Sequence, residues 1–93
     1  MRRMPPLNPL RAFEATARHL SMSRAANELN VTQGAVSHQV RALESTLKVP
    51  LCHRLGGTLQ LTAQGAALLP TVTRAFGSIA EAVSLLAEPS REG

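Results

Sequence analysis

The 93-residue chain has no tryptophan, no tyrosine and only two phenylalanines, Phe13 and Phe76. Stacked β-sheets favour aromatic and β-branched residues, so this scarcity predicts a core of leucine, alanine and valine on packed helices. It also disfavours a protein that binds single-stranded nucleic acid, because such proteins stack bases on aromatic side chains. The length allows one small domain at most.

Cysteine and long apolar runs are equally scarce. The single Cys52 cannot form an internal disulfide, which fits a reducing compartment and predicts a cytoplasmic protein. No run of 18 apolar residues is present, so no transmembrane helix is predicted. The basic start, MRRMPPLNPL, lacks the apolar stretch of a secretory signal.

Side chains that perform catalysis are not grouped in the sequence. His19, His38 and His53 are scattered, without the spacing of a metal site or of a catalytic triad. Cys52 beside His53 is more typical of a strand than of a nucleophile and its base. The sequence predicts no enzyme activity, no metal and no cofactor.

The net charge of +4 is distributed unevenly. Residues 1–61 contain eight Lys or Arg and three Glu, whereas residues 62–93 contain two Arg and three Glu. Positive charge concentrated in the first two-thirds is expected if that part binds a polyanion. An ordinary solvated basic surface explains the charge equally well, so charge alone leaves both interpretations open.

Three short helices are predicted in the first half. Asn8 is expected to cap the first, with Pro9 at its first position. Ser23 is expected to cap the second, RAANEL, and Asn30 to end it in a left-handed conformation. Thr32 is expected to cap the third helix immediately afterwards.

The short connection between the second and third helices predicts a helix-turn-helix. Ala25 and Ala26 are small enough to let the third helix cross closely, and Val36 and Val40 lie on its buried stripe. The later helix of such a motif enters the DNA major groove. A plain helical hairpin in another all-α domain is the alternative.

The outer face of the third helix suits DNA. Gln33, Ser37 and Arg41 lie at i, i+4 and i+8 and form one stripe. Gln pairs with adenine and Arg with guanine, whereas Ser reaches a base edge or a phosphate. Gly34 has no side chain to hold the first turn away from a duplex. Simple solvation of these residues is the alternative.

Arg24 is expected at the first position of the second helix, where the helix dipole disfavours a cation. Ser23 and the free amides at that end favour an anion, so a DNA phosphate would explain Arg24. An ion pair with Glu28, one turn later, is the alternative.

The segment LCHRLGGTLQL predicts two short strands around a Gly56-Gly57 turn. The expected facing pairs are Leu55 and Thr58, Arg54 and Leu59, and Cys52 and Leu61. A hairpin beside a helix-turn-helix is a wing, with Arg54 able to reach DNA from near its tip. A plain connecting hairpin is the alternative.

The last third predicts a helix capped by Thr62 that runs from Ala63 to about Glu88, or roughly 39 Å. Pro70 should kink or restart it. Apolar residues spaced by three and four give it a coiled-coil seam: Leu69, Val72, Phe76, Ile79, Val83 and Leu86. The preceding domain is too small to bury this whole seam, so pairing with a second copy is predicted, with folding back as the alternative.

LRAFEATARHLSMSRAANELNVTQGAVSHQVRALE, followed by LCHRL and LQLTAQGAALLP, resembles the N-terminal part of LysR-type transcriptional regulators. The segments PLNPLRAFEATARHLS, VTQGAVSHQV and LLP are most similar to the branch with regulators of chromosomal β-lactamase and of glycine cleavage. The resemblance implies a mainly α fold: a winged helix-turn-helix of three helices and a two-stranded wing at 1–61, a long dimerising linker helix at 62–88, and a tail at 89–93. An effector domain, which would hold any small-molecule site, is expected beyond this sequence.

The resemblance also implies a function. The chain is expected to bind a palindromic double-stranded DNA operator as a homodimer, with a tetramer open to the full-length protein. The candidate DNA-binding residues, from the motif and from the arguments above, are Ser23, Arg24, Thr32, Gln33, Gly34, Ser37, His38, Arg41, Arg54 and Thr62. Cys52 and Met22 stand where the family usually has Phe, and Gly56-Gly57 where it often has a further Arg. A helical interaction module that does not read DNA is the alternative function.

Overall fold

The computed structural model describes residues 4–87 of the chain. The elements in chain order are α1 (Leu7–His19), α2 (Met22–Leu29), α3 (Gln33–Leu47), β1 (Cys52–Leu55), β2 (Thr58–Leu61) and α4 (Ala63–Ala87). Three helices with a two-stranded wing and a long final helix confirm the predicted fold class. The expected tail at 89–93 and the expected helix end at Glu88 lie outside the described residues. Within residues 4–87, no helix is long and apolar enough to cross a membrane.

α1 begins earlier than the sequence predicted. It follows Pro6, and no side chain caps it, so Asn8 lies within the first turn. The prediction of an Asn8 cap with Pro9 at the first position was wrong. The first four amides of a helix have no acceptor within it, so a proline is tolerated throughout that turn and does not fix where the helix starts.

α2 also begins earlier, at Met22, and its cap is Ser21 rather than Ser23. The Ser21 hydroxyl accepts a 3.1 Å hydrogen bond from the amide of Arg24. Arg24 is therefore the third helical residue and not the first. The earlier start adds one apolar side chain to the helix, because the buried stripe then recurs at i, i+3, i+4 and i+7. That stripe consists of Met22, Ala25, Ala26 and Leu29.

The turn between α2 and α3 agrees with the prediction. Asn30 has a left-handed backbone, with φ 63° and ψ 43°, and ends α2. The Thr32 hydroxyl accepts a 3.1 Å hydrogen bond from the amide of Ala35 at the start of α3. The amide of Val31 donates to the carbonyl of Ala26 at 3.1 Å, which closes the turn. These bonds fix the direction in which α3 leaves α2.

Two apolar clusters join the elements. The first lies where α1 meets α3, α4 and the segment before β1: Leu10, Phe13, Ala17, Leu43, Leu51 and Val72. The second packs small side chains of α1 and α2 against α3: Ala12, Ala15, Ala25, Ala26, Val36 and Val40. Alanines at this crossing let the helix backbones approach closely, as predicted. The buried face of α3 therefore packs directly against α1 and α2.

The hairpin has the predicted antiparallel register, with Arg54 opposite Leu59 and Cys52 opposite Leu61. Gly56 and Gly57 have φ of 61° and 80°. Positive φ at both central residues matches the twist of paired strands, and glycine adopts it without strain.

α4 is a single helix that contains Pro70. Of the kink or restart predicted at this proline, the restart does not occur. Pro70 removes one helical hydrogen bond, to the carbonyl of Ala66. Both residues are exposed, so water can satisfy that carbonyl.

Candidate nucleic-acid interface

The outward stripe of α3 is present as predicted. Gln33 and Arg41 are exposed and Ser37 is half-buried between them. Nη1 of Arg41 donates a 2.8 Å hydrogen bond to the hydroxyl of Ser37. A guanidinium has five N–H donors, so this bond orients Arg41 along the helix and leaves most of its donors for a partner.

Gly34 and His38 lie beside this stripe and are exposed. A Cβ built on Gly34 would meet no atom within 4 Å. The packing of the chain therefore does not require a glycine here. What the glycine provides is a smooth surface on the first turn of α3, where a partner can approach the backbone.

Arg54 lies between two adjoining clefts. The first separates the starts of α2 and α3 from the wing, and its polar lining residues are Ser21, Ser23, Gln33, Arg54 and Thr58. The second lies between α3 and β1, and its polar or charged lining residues are Ser37, Arg41, Glu44, His53 and Arg54. The structure thus brings together five predicted residues from three elements: Ser23, Gln33, Ser37, Arg41 and Arg54.

Arg24 is exposed on α2 and lines neither cleft. Its proposed partner Glu28 instead contacts Arg18 at 2.6 Å and His19 at 2.7 Å. No ion pair of Arg24 occurs within residues 4–87. The alternative of an Arg24–Glu28 pair is therefore wrong, and Arg24 remains available in the first turn of α2, where an anion is favoured.

Two of the three glutamates in the first two-thirds of the chain, Glu14 and Glu28, are paired with Arg18 away from the clefts. Hydrogen bonding to Arg18 lowers the pKa of Glu14, against the opposing effect of burial. The same arginine, with His19, lowers the pKa of Glu28 to about 2. Both carboxylates in turn raise the pKa of Arg18. Arg41 and Arg54 therefore share the lining of the two clefts with one carboxylate, that of Glu44.

Thr62 is occupied by contacts within the chain. Its hydroxyl accepts a 3.0 Å hydrogen bond from the amide of Gly65, which confirms the predicted cap of α4. The same hydroxyl donates to the carbonyl of Pro50 at 2.7 Å. The amide of Thr62 donates to the carbonyl of Leu51 at 3.0 Å. Thr62 lines neither cleft, so the structure does not bring it together with the other predicted DNA-binding residues.

The predicted seam of α4 divides into two parts. Val72 is 6% exposed in the first apolar cluster, and the half-buried Leu69 and Phe76 pack against that cluster. Beyond them the seam is open: Ile79 is 55%, Val83 56% and Leu86 86% exposed. The first half of α4 therefore folds back on its own domain, which was the alternative, while the second half has no cover within residues 4–87.

An open apolar groove of about 400 Å³ runs along the same helix. Its walls come from the start of α1, the end of α3 and one side of α4, and the residues that form it include Leu7, Leu10, Leu47, Val72, Phe76 and Ile79. The groove continues into the exposed part of the seam, because Ile79 belongs to both.

Comparison with known proteins places this architecture. The sequence model of the family described as bacterial regulatory helix-turn-helix protein, lysR family, matches residues 7–66. The chain belongs to this family. The match spans α1, the helix-turn-helix, the wing and the cap of α4, so the LysR-type resemblance and the winged fold class are confirmed.

Curated relatives support the predicted branch. The HTH-type transcriptional activator AmpR of Providencia stuartii is 61% identical over 74 residues, which are 80% of this chain and 25% of that protein. The glycine cleavage system transcriptional activator of Escherichia coli K12 is 46% identical over 92 residues, which are 99% of this chain and 30% of that protein. The chain thus spans about a quarter to a third of the length of these relatives. They are named as transcriptional activators, in agreement with the prediction that the chain is not an enzyme.

Solved structures of similar proteins include DNA complexes. The BenM DBD/catB site 1 DNA complex has a TM-score of 0.80 at 26% identity and covers 88% of this chain and 92% of that chain. The CbnR DBD–DNA complex has a TM-score of 0.73 at 31% identity and covers 90% of this chain and all of that chain.

Sequence reasoning missed two residues that shape this LysR-family site. Ser21 caps α2 and lines the first cleft; the place of Met22 in the apolar stripe of α2 was the signal that could have identified it. Glu44 accepts hydrogen bonds from the amides of Leu51 at 2.8 Å and Cys52 at 3.1 Å. No local pattern marks it, because its partners lie beyond the end of α3.

Within residues 4–87 no cluster of His, Cys, Asp or Glu could hold a metal ion.

Proposed function

We propose that the chain is the double-stranded DNA-binding part of a LysR-type transcriptional regulator. The observation that carries the proposal is the convergence of Gln33, Ser37, Arg41 and Arg54 around two adjoining clefts. These side chains come from two elements and form one polar and cationic surface. Within residues 4–87, their side chains make one hydrogen bond, from Arg41 to Ser37, so most of their N–H donors are free to bind a partner.

α3 is the element that enters the major groove. Its buried face is fixed by Val36 and Val40, so the opposite stripe points outward as a unit. Arg41 suits bidentate contact with guanine and Gln33 suits adenine. Ser37 orients Arg41, and Gly34 lets the first turn approach the duplex. Thr32 and His38, next to the stripe, are placed for phosphate or sugar contacts.

The wing and α2 border the groove. Arg54 extends the cationic surface from α3 toward the adjacent backbone or minor groove. Ser23 and Arg24 lie in the first turn of α2, where free amides and the helix dipole favour a phosphate. Contacts of this kind fix the register of the protein on DNA and add affinity that depends on salt.

The exposed half of the α4 seam is proposed as a dimer contact with a second copy of the chain. Ile79, Val83 and Leu86 leave an apolar stripe next to an apolar groove. Such a surface is costly to leave in water. A twofold dimer presents two copies of α3, which matches a palindromic operator. Further association into tetramers belongs to the longer protein.

The carbapenem-hydrolyzing beta-lactamase transcriptional activator of Enterobacter cloacae is 51% identical over 83 residues, which are 89% of this chain and 28% of that protein, so control of β-lactamase expression is the specific candidate. Any effector would bind to a part of the protein beyond this chain. A regulator that reads chromosomal DNA in bacteria works in the cytoplasm, and we place this protein there.

A binding experiment tests the proposal directly. A duplex selected by the chain from a randomised pool is compared with a scrambled duplex of the same composition, across a series of salt concentrations. We expect tighter binding to the selected duplex. We also expect affinity to fall as salt rises, because the cationic side chains displace counterions from the DNA phosphates when the protein binds. Equal affinity for the two duplexes would contradict operator reading and leave the dimerisation module as the function.

A further inference from the structure

The base of the wing is fixed from two directions. The segment of Pro50, Leu51 and Cys52 ends the connection after α3 and includes the first residue of β1, and Leu51 is buried. Its amides bond to α3, whereas its carbonyls bond to the start of α4. Both the helix proposed to read DNA and the helix proposed to dimerise therefore hold the same three residues.

Glu44 provides the contact from α3. One carboxylate oxygen accepts hydrogen bonds from two successive amides, those of Leu51 and Cys52. Charge-assisted bonds of this type are stronger than neutral ones. Because β1 begins at Cys52, Glu44 fixes the strand at its first residue.

Thr62 provides the contact from α4. A threonine hydroxyl has one proton to donate, and Thr62 gives it to the carbonyl of Pro50. Its amide donates to the carbonyl of Leu51. A phosphate oxygen accepts hydrogen bonds and does not donate them, so Thr62 has no donor left for DNA. Gly65 completes the junction, because a Cβ there would collide with the carbonyl of Leu51.

Both contacts act next to the pair formed by Cys52 and Leu61, which closes the hairpin at its base. Arg54 lies on the same face as Cys52, two residues along β1, opposite the buried Leu59. A change in the direction of β1 at its base therefore moves Arg54 relative to α3.

We propose that Glu44 and Thr62 are positioning residues that set the place of Arg54 on DNA, and that Thr62 does not itself contact the phosphate backbone. The junction also links α4 to the wing, so a change in the direction of α4 at Thr62 is transmitted to Arg54. This inference rests on the proposed function, since it concerns how the wing binds a duplex.

A double-mutant cycle tests the inference for Thr62. Thr62→Val keeps the shape and removes the hydroxyl, and it is measured alone and together with Arg54→Ala on the selected duplex. We expect Thr62→Val to weaken binding on the order of fivefold in the native background. In the Arg54→Ala background it should have almost no effect, because the residue through which it acts is already missing.

The salt dependence separates positioning from direct contact. Only a cation that neutralises a phosphate contributes to the slope of log affinity against log salt, by about 0.9 for each. Thr62→Val should therefore reduce the slope as Arg54→Ala does. If the neutral Thr62 hydroxyl contacted a phosphate directly, its removal would lower affinity without changing the slope. Additive losses in the cycle, an unchanged slope, or unchanged affinity would each overturn the assignment of Thr62.

Glu44 gives an independent test should Thr62→Val fail to fold. Removing a negative charge next to DNA should by itself strengthen binding. Glu44→Met removes the charge and both hydrogen bonds, whereas Glu44→Gln removes the charge and keeps an acceptor. We expect Glu44→Met to bind more weakly than Glu44→Gln, and this difference to disappear in the Arg54→Ala background. Equal binding of the two variants, or a difference that persists without Arg54, would overturn the inference.

Matched controls identify a general loss of folding. Thr62→Ser keeps the hydroxyl and should restore both affinity and slope. Thr46→Val is the same substitution at a different threonine, which is exposed on α3 and lines neither cleft. This variant should bind like the native chain. If the native chain does not distinguish the selected duplex from its scrambled form, the proposed function fails. If it does and the cycles are additive, only this inference fails.

Discussion

Thr73 on α4 donates a 2.9 Å hydrogen bond to Oε2 of Glu14 on α1. The same oxygen accepts a 2.9 Å bond from Nε of Arg18. The guanidinium of Arg18 also donates hydrogen bonds of 3.0 Å and 2.6 Å to the carboxylate of Glu28 on α2. One series of polar contacts therefore connects the long helix to the first helix of the helix-turn-helix through the side of α1.

This series should make stability depend on pH in the acid range. Arg18 lowers the pKa of Glu28 from 4.5 to about 2 and lowers that of Glu14 as well. Below pH 4.5 the unfolded chain takes up protons that the folded chain resists, so the stabilisation is complete above pH 4.5 and is lost as the pH falls toward 2. We expect Arg18→Met to flatten this dependence, as measured by urea unfolding at pH 5 and pH 3.

Arg11→Met is the matched control, because Arg11 is exposed on the same helix and makes no ion pair within residues 4–87. It should keep the native decrease between pH 5 and pH 3. An equal decrease for Arg18→Met and the native chain would show that these carboxylates do not govern acid stability.

Two glycines of α4 should respond in opposite ways to alanine. A Cβ at Gly65 would collide with the backbone of Leu51, which cannot move without disturbing the base of the wing. Gly65→Ala should therefore cost about 1–3 kcal/mol in the free energy of unfolding. Gly77 has open space around its Cβ position, so Gly77→Ala should stabilise the helix by about 0.5–1 kcal/mol. Thermal unfolding measures both, and equal effects would contradict the close approach at Gly65.

The sequence was sufficient for the parts of the fold that depend on neighbouring residues. Asn30 and Thr32 have side chains that suit a helix end and a helix start, and the structure uses them in those roles. The double glycine at 56–57 determined the register of the wing, because few other residues allow positive φ twice in succession. These features were predictable because their causes lie within a few positions of each other.

The parts that sequence reasoning got wrong or did not identify depend on choices between nearby candidates or on distant contacts. Ser21 and Ser23 are both good caps, and only the packing of Met22 decided between them. Glu44 and Thr62 act on Leu51 and its neighbours through bonds that span seven to twelve positions. No periodicity shows such contacts. The seam of α4 has one uniform pattern along the chain, yet the fold buries its first half and exposes its second.

Arg41 on α3 should determine one base of the operator. Arg41→Ala removes the guanidinium while leaving the buried face of α3 unchanged, and we expect it to weaken binding to the selected duplex by about 1–3 kcal/mol. Preference at one position of the site should relax, as measured by repeating the selection. Arg74→Ala removes the same charge from an exposed position on α4 and should keep the preference. An Arg41→Ala chain with the native preference would mean that Arg41 contacts only phosphate.

Association through α4 is best tested at Val83. Phe76 is part of the same seam, but it packs against the first apolar cluster, so a charge there would disturb folding and pairing together. Val83 is 56% exposed and lies where the seam has no cover within residues 4–87. Val83→Glu should therefore keep the helical circular dichroism of the native chain and shift its mass in light scattering from dimer to monomer. A charge on an apolar dimer contact is unfavourable because burial removes its hydration.

Ser84→Glu adds the same charge one residue away, off the seam, and should remain dimeric. Dimers of Val83→Glu at the same concentration would exclude this half of α4 as the contact.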